Sequence, residues 1–404
     1  MLNFHISNFI SNKVTKRKSS LFRLDLDNYN EELNTQIMGK SVLVIGGAGT
    51  IGSSFIKAIL NFDPSSLYVV DINENGLTEL TRDLRSTHAL KVPEKYLTYP
   101  MSFDDPLFYR LLEKEDTFDI IANFAAHKHV RSEKDIYSIS ALIENNVIKY
   151  HSFLKILLKK PPKHFFCVST DKAANPVNIM GASKKIMEEL IIAYSTKFKI
   201  TTARFANVAF SNGSLLDGFI SRVIKRQPLT APLDIKRYFV SPEESGQICL
   251  LSCILGESGD VFFPKLNKSQ MLSFSDISND FLDEIGFSPL ICKSEEEAKE
   301  KSKHINNKYN LYPVFYFKSD TSGEKSFEEF FTENEDLEMN KFINLGVVKN
   351  KKNKNIIEVE NMINDLKNIL SNKDISKNDV VKLLTKILPN FKHIETGKNL
   401  DQKM

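Results

Sequence analysis

The sequence predicts an α/β protein: a doubly wound parallel sheet with a smaller mixed α/β region towards the C-terminus. Three observations carry this. Short continuous apolar runs alternate with stretches of helical apolar spacing from about residue 40 to about residue 210, the pattern of strands and helices wound into a parallel sheet. The first run ends in a cluster of glycines that opens the first helical stretch. The composition, 42% hydrophobic and 26% charged over 404 residues, is that of a folded chain long enough for two or three structural units.

Residues 1–38 read as an N-terminal extension in which Lys13, Lys16, Arg17 and Lys18 form a basic cluster expected on a solvated surface. Val42-Leu43-Val44-Ile45 is a strand buried on both faces. Ile51, Phe55, Ile56, Ile59 and Leu60 follow at helical spacing. Leu67 to Val70 is a second strand and Leu77 to Leu84 a second helix; Ile120 to Phe124 and His164 to Val168 are later strands. Residues 39–210 are thus expected to form the nucleotide-binding core. Residues 211–348 mix short strands, Pro-containing turns and single helices, as a substrate-binding region interleaved with that core. Within it, 293–310 is charged and helical and is expected to be an exposed insertion. The Lys/Asn run from Lys349 to Lys354 reads as a linker. It opens a helical extension, 349–404, whose apolar spacing (Ile357, Val359, Met362, Ile363, Leu366, Ile369, Leu370) predicts a cap on the core.

A net charge of +3, from 54 Lys+Arg against 51 Asp+Glu, lacks the basic excess of a nucleic-acid or membrane-surface binder. No stretch is apolar enough for a secretory signal or a membrane span, so the expected location is the cytoplasm. Cys249 and Cys253 lie four apart on an apolar helix without neighbouring ligands, a pattern of burial and not of zinc binding.

Gly46, Gly49 and Gly52 sit between a buried strand and a helix. Glycine there permits a tight turn, close approach of the backbone to a pyrophosphate and close packing of helix on strand, while the helix N-terminus attracts phosphate. A Rossmann-type dinucleotide site is expected. Asp71 ends the second strand, where a carboxylate accepts from a ribose 2′-hydroxyl and repels a 2′-phosphate. NAD is therefore favoured, with Arg82 and Arg85 keeping NADP open; the other reading of Asp71 is a helix-capping acid before Asn73.

Three further segments narrow the reading: Asn123-Phe124-Ala125-Ala126-His127-Lys128-His129-Val130; Ser169-Thr170-Asp171-Lys172-Ala173-Ala174-Asn175-Pro176 with Met180-Gly181-Ala182-Ser183-Lys184; and Arg204-Phe205-Ala206-Asn207-Val208 with Ser211-Asn212-Gly213-Ser214 and Arg237-Tyr238-Phe239. Together they resemble the extended short-chain dehydrogenase/reductases. More narrowly they resemble the nucleotide-sugar 4,6-dehydratases of polysaccharide biosynthesis, which act on UDP-N-acetylglucosamine. The likeness spans about 40–265 and resumes at Thr321-Ser322-Gly323-Glu324-Lys325, with Glu328 and Glu329 beyond.

The resemblance implies oxidation at C4 of the sugar, loss of water across C5 and C6, and reduction at C6 by a recycled NAD. It makes Asp171 the acid at C6, expected to have a raised pKa, and Lys172 the base at C5, expected to have a lowered one. Thr170 and Lys184 join them. Cofactor contacts are implied for Gly46, Gly49, Thr50, Ile51, Gly52, Asp71 and Asn73, and also for Ala125, Ala126, Lys128, Asn146 and Lys184. Substrate contacts are implied for Lys128, Asn207, Ser211, Asn212, Ser214, Arg237 and Glu324, with Arg237 meeting the diphosphate. His127 and His129 are supporting groups.

Met180 departs from the wider superfamily, which carries a proton-transferring tyrosine one helical turn before the lysine. A thioether does not serve that purpose, and methionine there is similar to a subset of the dehydratases. The base for the C4 hydroxyl stays open between Asp171, a water held by Thr170, and Lys184. Ala206 and Ala209-Phe210 replace smaller or different residues of the relatives and are expected to narrow the pocket. The substrate class that the resemblance implies is a UDP- or GDP-linked amino sugar, UDP-N-acetylglucosamine favoured, and a homo-oligomer is expected. The competing readings are a nucleotide-sugar epimerase, against which Met180 counts, and a non-catalytic NAD-binding protein of the same fold.

Overall fold

Strands buried on both faces must be apolar throughout, and the central strands obey this. In the computed structural model, which describes residues 4–305, 310–350 and 355–398, nine strands form the main sheet. They are β1 (Ser41–Ile45), β2 (Ser66–Asp71), β3 (Lys95–Pro100), β4 (Ile120–Asn123), β5 (His164–Val168), β6 (Ile200–Ala203), β7 (Val261–Pro264), β8 (Asp336–Glu338) and β9 (Leu345–Lys349). Their order is β3-β2-β1-β4-β5-β6-β7-β9-β8. The first seven are parallel, β9 pairs antiparallel with β7, and β8 pairs antiparallel with β9. The expected doubly wound sheet is therefore present, and its order reverses between β1 and β4, where such sheets open a ligand crevice.

Alternation along β1 sends its side chains to two cores. Leu43 and Ile45 face the helices that include α2 (Ile179–Tyr194). Val42 and Val44 face α1 (Thr50–Ile59) and α3 (Pro242–Leu255). Cys249 and Cys253 are buried on α3, and burial pushes the Cys253 thiol up to about 12.

Two C-terminal helices, α4 (Ile356–Leu370) and α5 (Lys377–Ile387), complete the first core. Val359, Ile363, Leu366, Val380 and Leu384 are fully buried there with Ile186 and Leu190 of α2. Burial at roughly 1.5–3 kcal/mol per side chain outweighs anything the helices' own propensity supplies.

The N-terminal segment is packed as well. Phe9, Ile10 and Val14 join Phe210, Phe219 and Phe281, while Phe22, Leu33 and Ile37 join the second core. Arg17 departs from the solvated reading: its guanidinium holds both oxygens of Glu244 at 2.7 Å and the Phe239 carbonyl at 3.1 Å. Glu244 also closes the capping box of α3, so Arg17 ties the extension to the core.

A second, parallel sheet comprises 229–232, 311–317 and 288–292. The helix Glu295–Ser302 lies on the crossover between its last two strands and buries Ala298. The charged stretch connects two strands of this sheet, and of its described residues only Ala298 is buried; its residues 306–309 lie outside the described residues. Lys349 ends β9 and pairs with Glu257 at 2.9 Å and Asp260 at 3.0 Å. Of the run expected as a linker, 351–354 lie outside the described residues. Among the described residues no helix is long and apolar enough to cross a membrane.

Candidate active site

The crevice begins at the glycine turn. Gly46 has φ +74°, and a Cβ on it would stand 2.6 Å from Ala125 N; a Cβ on Gly52 would strike the Gly46 carbonyl. The chain's own packing therefore demands both glycines. Gly49 differs. It has an ordinary φ of −75°, and a Cβ there would meet only the Gly46 carbonyl, at 3.4 Å. It caps α1 without a side-chain cap, among the described residues, leaving the helix start open to a phosphate. That cradle fits a dinucleotide.

Asp71 braces the turn: its carboxylate accepts from Ala48 N and Asn73 N, both at 2.9 Å. The helix-capping alternative falls to Asn73, whose side chain accepts from Gly76 N at the start of Glu74–Ser86. Asn146 is buried behind the cleft. It accepts from His127 N at 2.9 Å and donates to the His127 carbonyl and to Ser183, fixing the Ala125–His127 loop from behind.

A cleft of about 310 Å³ opens beside this turn. Of the residues singled out in the sequence, Ile51, Ala126, Lys128, Thr170, Asp171, Lys172, Met180, Lys184, Asn207, Ser211 and Ser214 line it, with Ala206 and His129. Gly46, Gly49, Thr50, Gly52, Asp71, Asn73, Ala125, Asn146, Asn212, Arg237 and Glu324 do not.

Asp171 and Lys172 follow β5, where Thr170 caps a short 3-10 turn. Lys172 Nζ is 3.0 Å from Asp171 Oδ1 and 3.8 Å from Glu328 Oε1; Thr170 Oγ1 donates to Asp171 Oδ1 at 2.9 Å. The expected lowered pKa of Lys172 is corrected. Burial works against its cation, but Asp171 and Glu328 prevail and hold it above the ordinary lysine value. Glu328, by contrast, is pushed up by burial against the pull of Lys172. Lys184 is the lysine that is lowered, to about 8, because burial outweighs its partners; its Nζ donates to the Val168 carbonyl at 2.9 Å. Met180 lies one helical turn before it, 3% exposed, so no phenol enters the cleft at that place.

The 211–214 loop crosses the cleft. Lys128 Nζ donates to the Asn212 carbonyl at 2.8 Å, and Asn212 N donates to Thr50 Oγ1 at 2.9 Å. Burial lowers the Lys128 ammonium and, with Lys128 and Arg131 nearby, the His129 imidazole. Arg237 does not line the cleft. It donates to the carbonyls of Lys236 (2.9 Å) and Lys325 (3.0 Å), and faces Glu324 at 3.5 Å and Glu328 at 3.9 Å. Glu324 instead lines an adjoining cavity of about 800 Å³ with Ser214, Arg131 and Arg222.

Phe210 does not narrow the pocket. It adopts φ +53°, a region that favours glycine, and turns its ring to Phe9 (5.8 Å) and Phe281 (6.3 Å). Ala206 is the substituted residue that lines the cleft.

Sequence reasoning gave no site role to three groups. Glu328 stood only as an acid beyond a motif. Arg204 is fully buried between Glu188 and Glu335, with contacts of 2.7–2.9 Å. Glu133 accepts from Met180 N and meets His393. Their spacing carries no signal, because each partner comes from a distant segment.

Sheet order, glycine turn and cleft define a Rossmann-type α/β protein with the architecture of the extended short-chain dehydrogenase/reductases. The chain belongs to the polysaccharide biosynthesis protein family, which it matches over residues 42–350. It is 33% identical over 243 residues to the uncharacterized membrane protein MJ1061 of Methanocaldococcus jannaschii, covering 58% of this chain and 69% of that one. It is 26% identical to the capsular polysaccharide biosynthesis protein CapD of Staphylococcus aureus, over 74% of this chain but only 49% of CapD. An inverting UDP-N-acetylglucosamine 4,6-dehydratase of Campylobacter jejuni matches at 26% (56% of this chain, 67% of that one). A UDP-glucose 4-epimerase of Rickettsia canadensis also matches at 26% (56% and 66%). Among solved structures, Pen from Bacillus thuringiensis superposes with a TM-score of 0.63 at 20% identity, covering 87% of this chain and 98% of that one. DesIV of Streptomyces venezuelae, a dTDP-glucose 4,6-dehydratase solved with NAD and TYD, gives 0.53 at 19% identity, covering 72% and 87%.

Proposed function

We propose that the chain is an NAD-dependent 4,6-dehydratase of a nucleotide-activated N-acetylhexosamine, with UDP-N-acetylglucosamine the favoured substrate. The observation that carries this reading is the Asp171–Lys172 pair at the carboxyl end of β5, Asp171 buried and Lys172 partly so, in a cleft where Met180 stands in place of a proton-transferring phenol. An epimerase needs no acid–base pair for elimination of water, and a binding-only protein needs none at all.

Gly49, the start of α1, Asp71 and Lys184 are the residues that would hold NAD, which when bound would supply a hydride acceptor for C4 and a hydride donor for C6. The chain's own groups manage the protons. Asp171, with Thr170 donating to it, takes the C4 hydroxyl proton. Lys172 passes its proton to Glu328, whose carboxyl is the one raised by burial, and so becomes an amine able to remove the C5 proton. Neutralising Asp171 assists this step, because it removes the charge that held Lys172 protonated. Asp171 then gives its proton to the departing C6 hydroxyl, Lys172 returns a proton to C5, and Glu328 gives its proton back to Lys172, restoring the starting charges.

Incubation with UDP-N-acetylglucosamine and NAD in deuterated water tests the reading. A 4-keto-6-deoxy product carrying deuterium at C5, followed by NMR and mass spectrometry, is expected, and its coupling constants report the C5 configuration. A C4 epimer without loss of water would replace this reading by the epimerase. No turnover of UDP- or GDP-linked hexoses would remove it.

A further inference from the structure

The helix that carries Met180 and Lys184 begins in a cage built partly by the far C-terminus. A helix leaves its first N–H groups without internal partners, and α2 satisfies two of them with side chains. Gly181 N donates to Asn178 Oδ1 at 2.7 Å, and Met180 N donates to Glu133 Oε1 at 3.2 Å. A carboxylate at this end also complements the helix dipole. Glu133 is almost fully buried, and its other oxygen lies 3.2 Å from His393 Nε2, itself shut from solvent.

His393 belongs to a segment, 391–398, that lies beyond the family match at 42–350. This segment is laced between two loops of the site. Lys392 N and Ile394 N donate to the carbonyls of Pro176 and Val177, just after the Asp171–Lys172 turn. On its other side, Gly323 N and Ser322 N donate to the carbonyls of Ile394 and Lys398, and Ser322 Oγ donates to Glu395 at 2.7 Å. Asn178 closes the circuit by donating to the Gly323 carbonyl at 2.8 Å. The strand-like segment therefore fastens the turn that carries the acid–base pair to the segment that carries Glu324 and Glu328.

We infer that His393 is a positioning residue: through Glu133 it fixes the first turn of α2, and with it Met180 and Lys184, against the cofactor cleft. Its ring nitrogen orients the Glu133 carboxylate so that the other oxygen remains on Met180 N. A chain ending before this segment would leave Glu133 buried beside a helix start with one oxygen unpartnered, and free to rotate away. The inference rests on the dehydratase reading for its kinetic consequence but not for its structural one.

The test uses the full chain, with His393→Ala, His393→Gln and Glu133→Gln compared with the wild type well below their melting temperatures. Hydrogen exchange of the peptide spanning 176–187 is read first. In His393→Ala, exchange of the first-turn amides of α2 should rise by about tenfold or more while the rest of the chain keeps its pattern. Steady-state kinetics with UDP-N-acetylglucosamine is read second. Loss of positioning should lower kcat by about tenfold or more with KM within about twofold, and His393→Gln, which keeps a donor, should recover most of it. If the wild type does not turn over but the exchange result holds, the dehydratase reading fails and the positioning stands. If His393→Ala leaves both exchange and kcat unchanged, or lowers only the melting temperature, the inference is overturned.

Discussion

Lys172 Nζ and Asp171 Oδ1 stand 3.0 Å apart at the carboxyl end of β5, with Asp171 4% and Lys172 18% exposed. Adjacent residues of opposite charge usually part into solvent; here the 3-10 turn capped by Thr170 holds them together inside the cleft. Replacing Lys172 by Ala removes the group proposed as the C5 base and leaves the glycine turn untouched. The expected result is a fall in kcat of about 10³-fold, within the range general acid–base groups supply. NAD affinity, followed by fluorescence titration, should be unchanged. Turnover at the wild-type rate would show that the base has been misassigned.

As the proposed acceptor of the Lys172 proton, Glu328 should give the proposed reaction a pH dependence whose sign follows from that role. It receives the Lys172 proton only while it is a carboxylate, so activity is lost as pH falls through its pKa. Burial raises that pKa above the ordinary glutamate value, and the acid limb of kcat should therefore lie above the usual carboxylate range. In Glu328→Gln the acceptor is gone, and Lys172 must lose its proton to solvent. That variant should be slower at neutral pH and should gain activity as pH rises. A pH profile superimposable on the wild type would exclude Glu328 from the proton path.

The contrast between these two residues marks how far the sequence could be read. Asp171 and Lys172 were legible because they are neighbours inside a motif, and the sheet was legible because runs such as Val42 to Ile45 are buried on both faces. The charge state of Lys172 was not, because it depends on Glu328, which tertiary packing alone brings within 3.8 Å. Arg17 was misread as solvated for the same reason: its partner Glu244 lies 227 residues away. The Glu133–His393 contact spans 260 residues, and no local pattern announces it. Arg237 stands where the resemblance expects a diphosphate-binding arginine, and its contacts with Glu324 and with the Lys325 carbonyl, 88 residues away, could not be read locally.

Lys184 makes a prediction about stability. Its pKa falls from 10.5 to about 8 because the buried ammonium is poorly solvated. A lysine lowered in the folded state costs stability, fully below pH 8, and the cost is relieved as pH rises from about 8 to 10.5. The shift corresponds to a charging cost on the order of 3 kcal/mol. Lys184→Met removes it and forfeits about 1 kcal/mol of hydrogen bonding to the Val168 carbonyl. The variant should therefore melt a few degrees higher than the wild type at pH 7, with the gap closing above pH 8, while turnover is lost. Thermal scans across pH check both signs; a lower melting temperature at pH 7 would show that the amine is not charged at a cost.

Phe210 separates a packing role from a substrate role. At φ +53° a bulky side chain is strained by roughly 1–2 kcal/mol, which glycine would relieve. The same change removes a ring packed between Phe9, Phe281 and Phe4, and loss of a buried phenylalanine costs about 3–5 kcal/mol. The second effect is larger, so Phe210→Gly should destabilise the chain by about 1–4 kcal/mol net. Because the ring points to the N-terminal segment and not into the cleft, KM for the sugar nucleotide should stay within about twofold at temperatures where the variant is folded. Chemical denaturation and steady-state kinetics on the same preparation measure the two effects. A marked change in KM with unaltered stability would put Phe210 at the substrate after all.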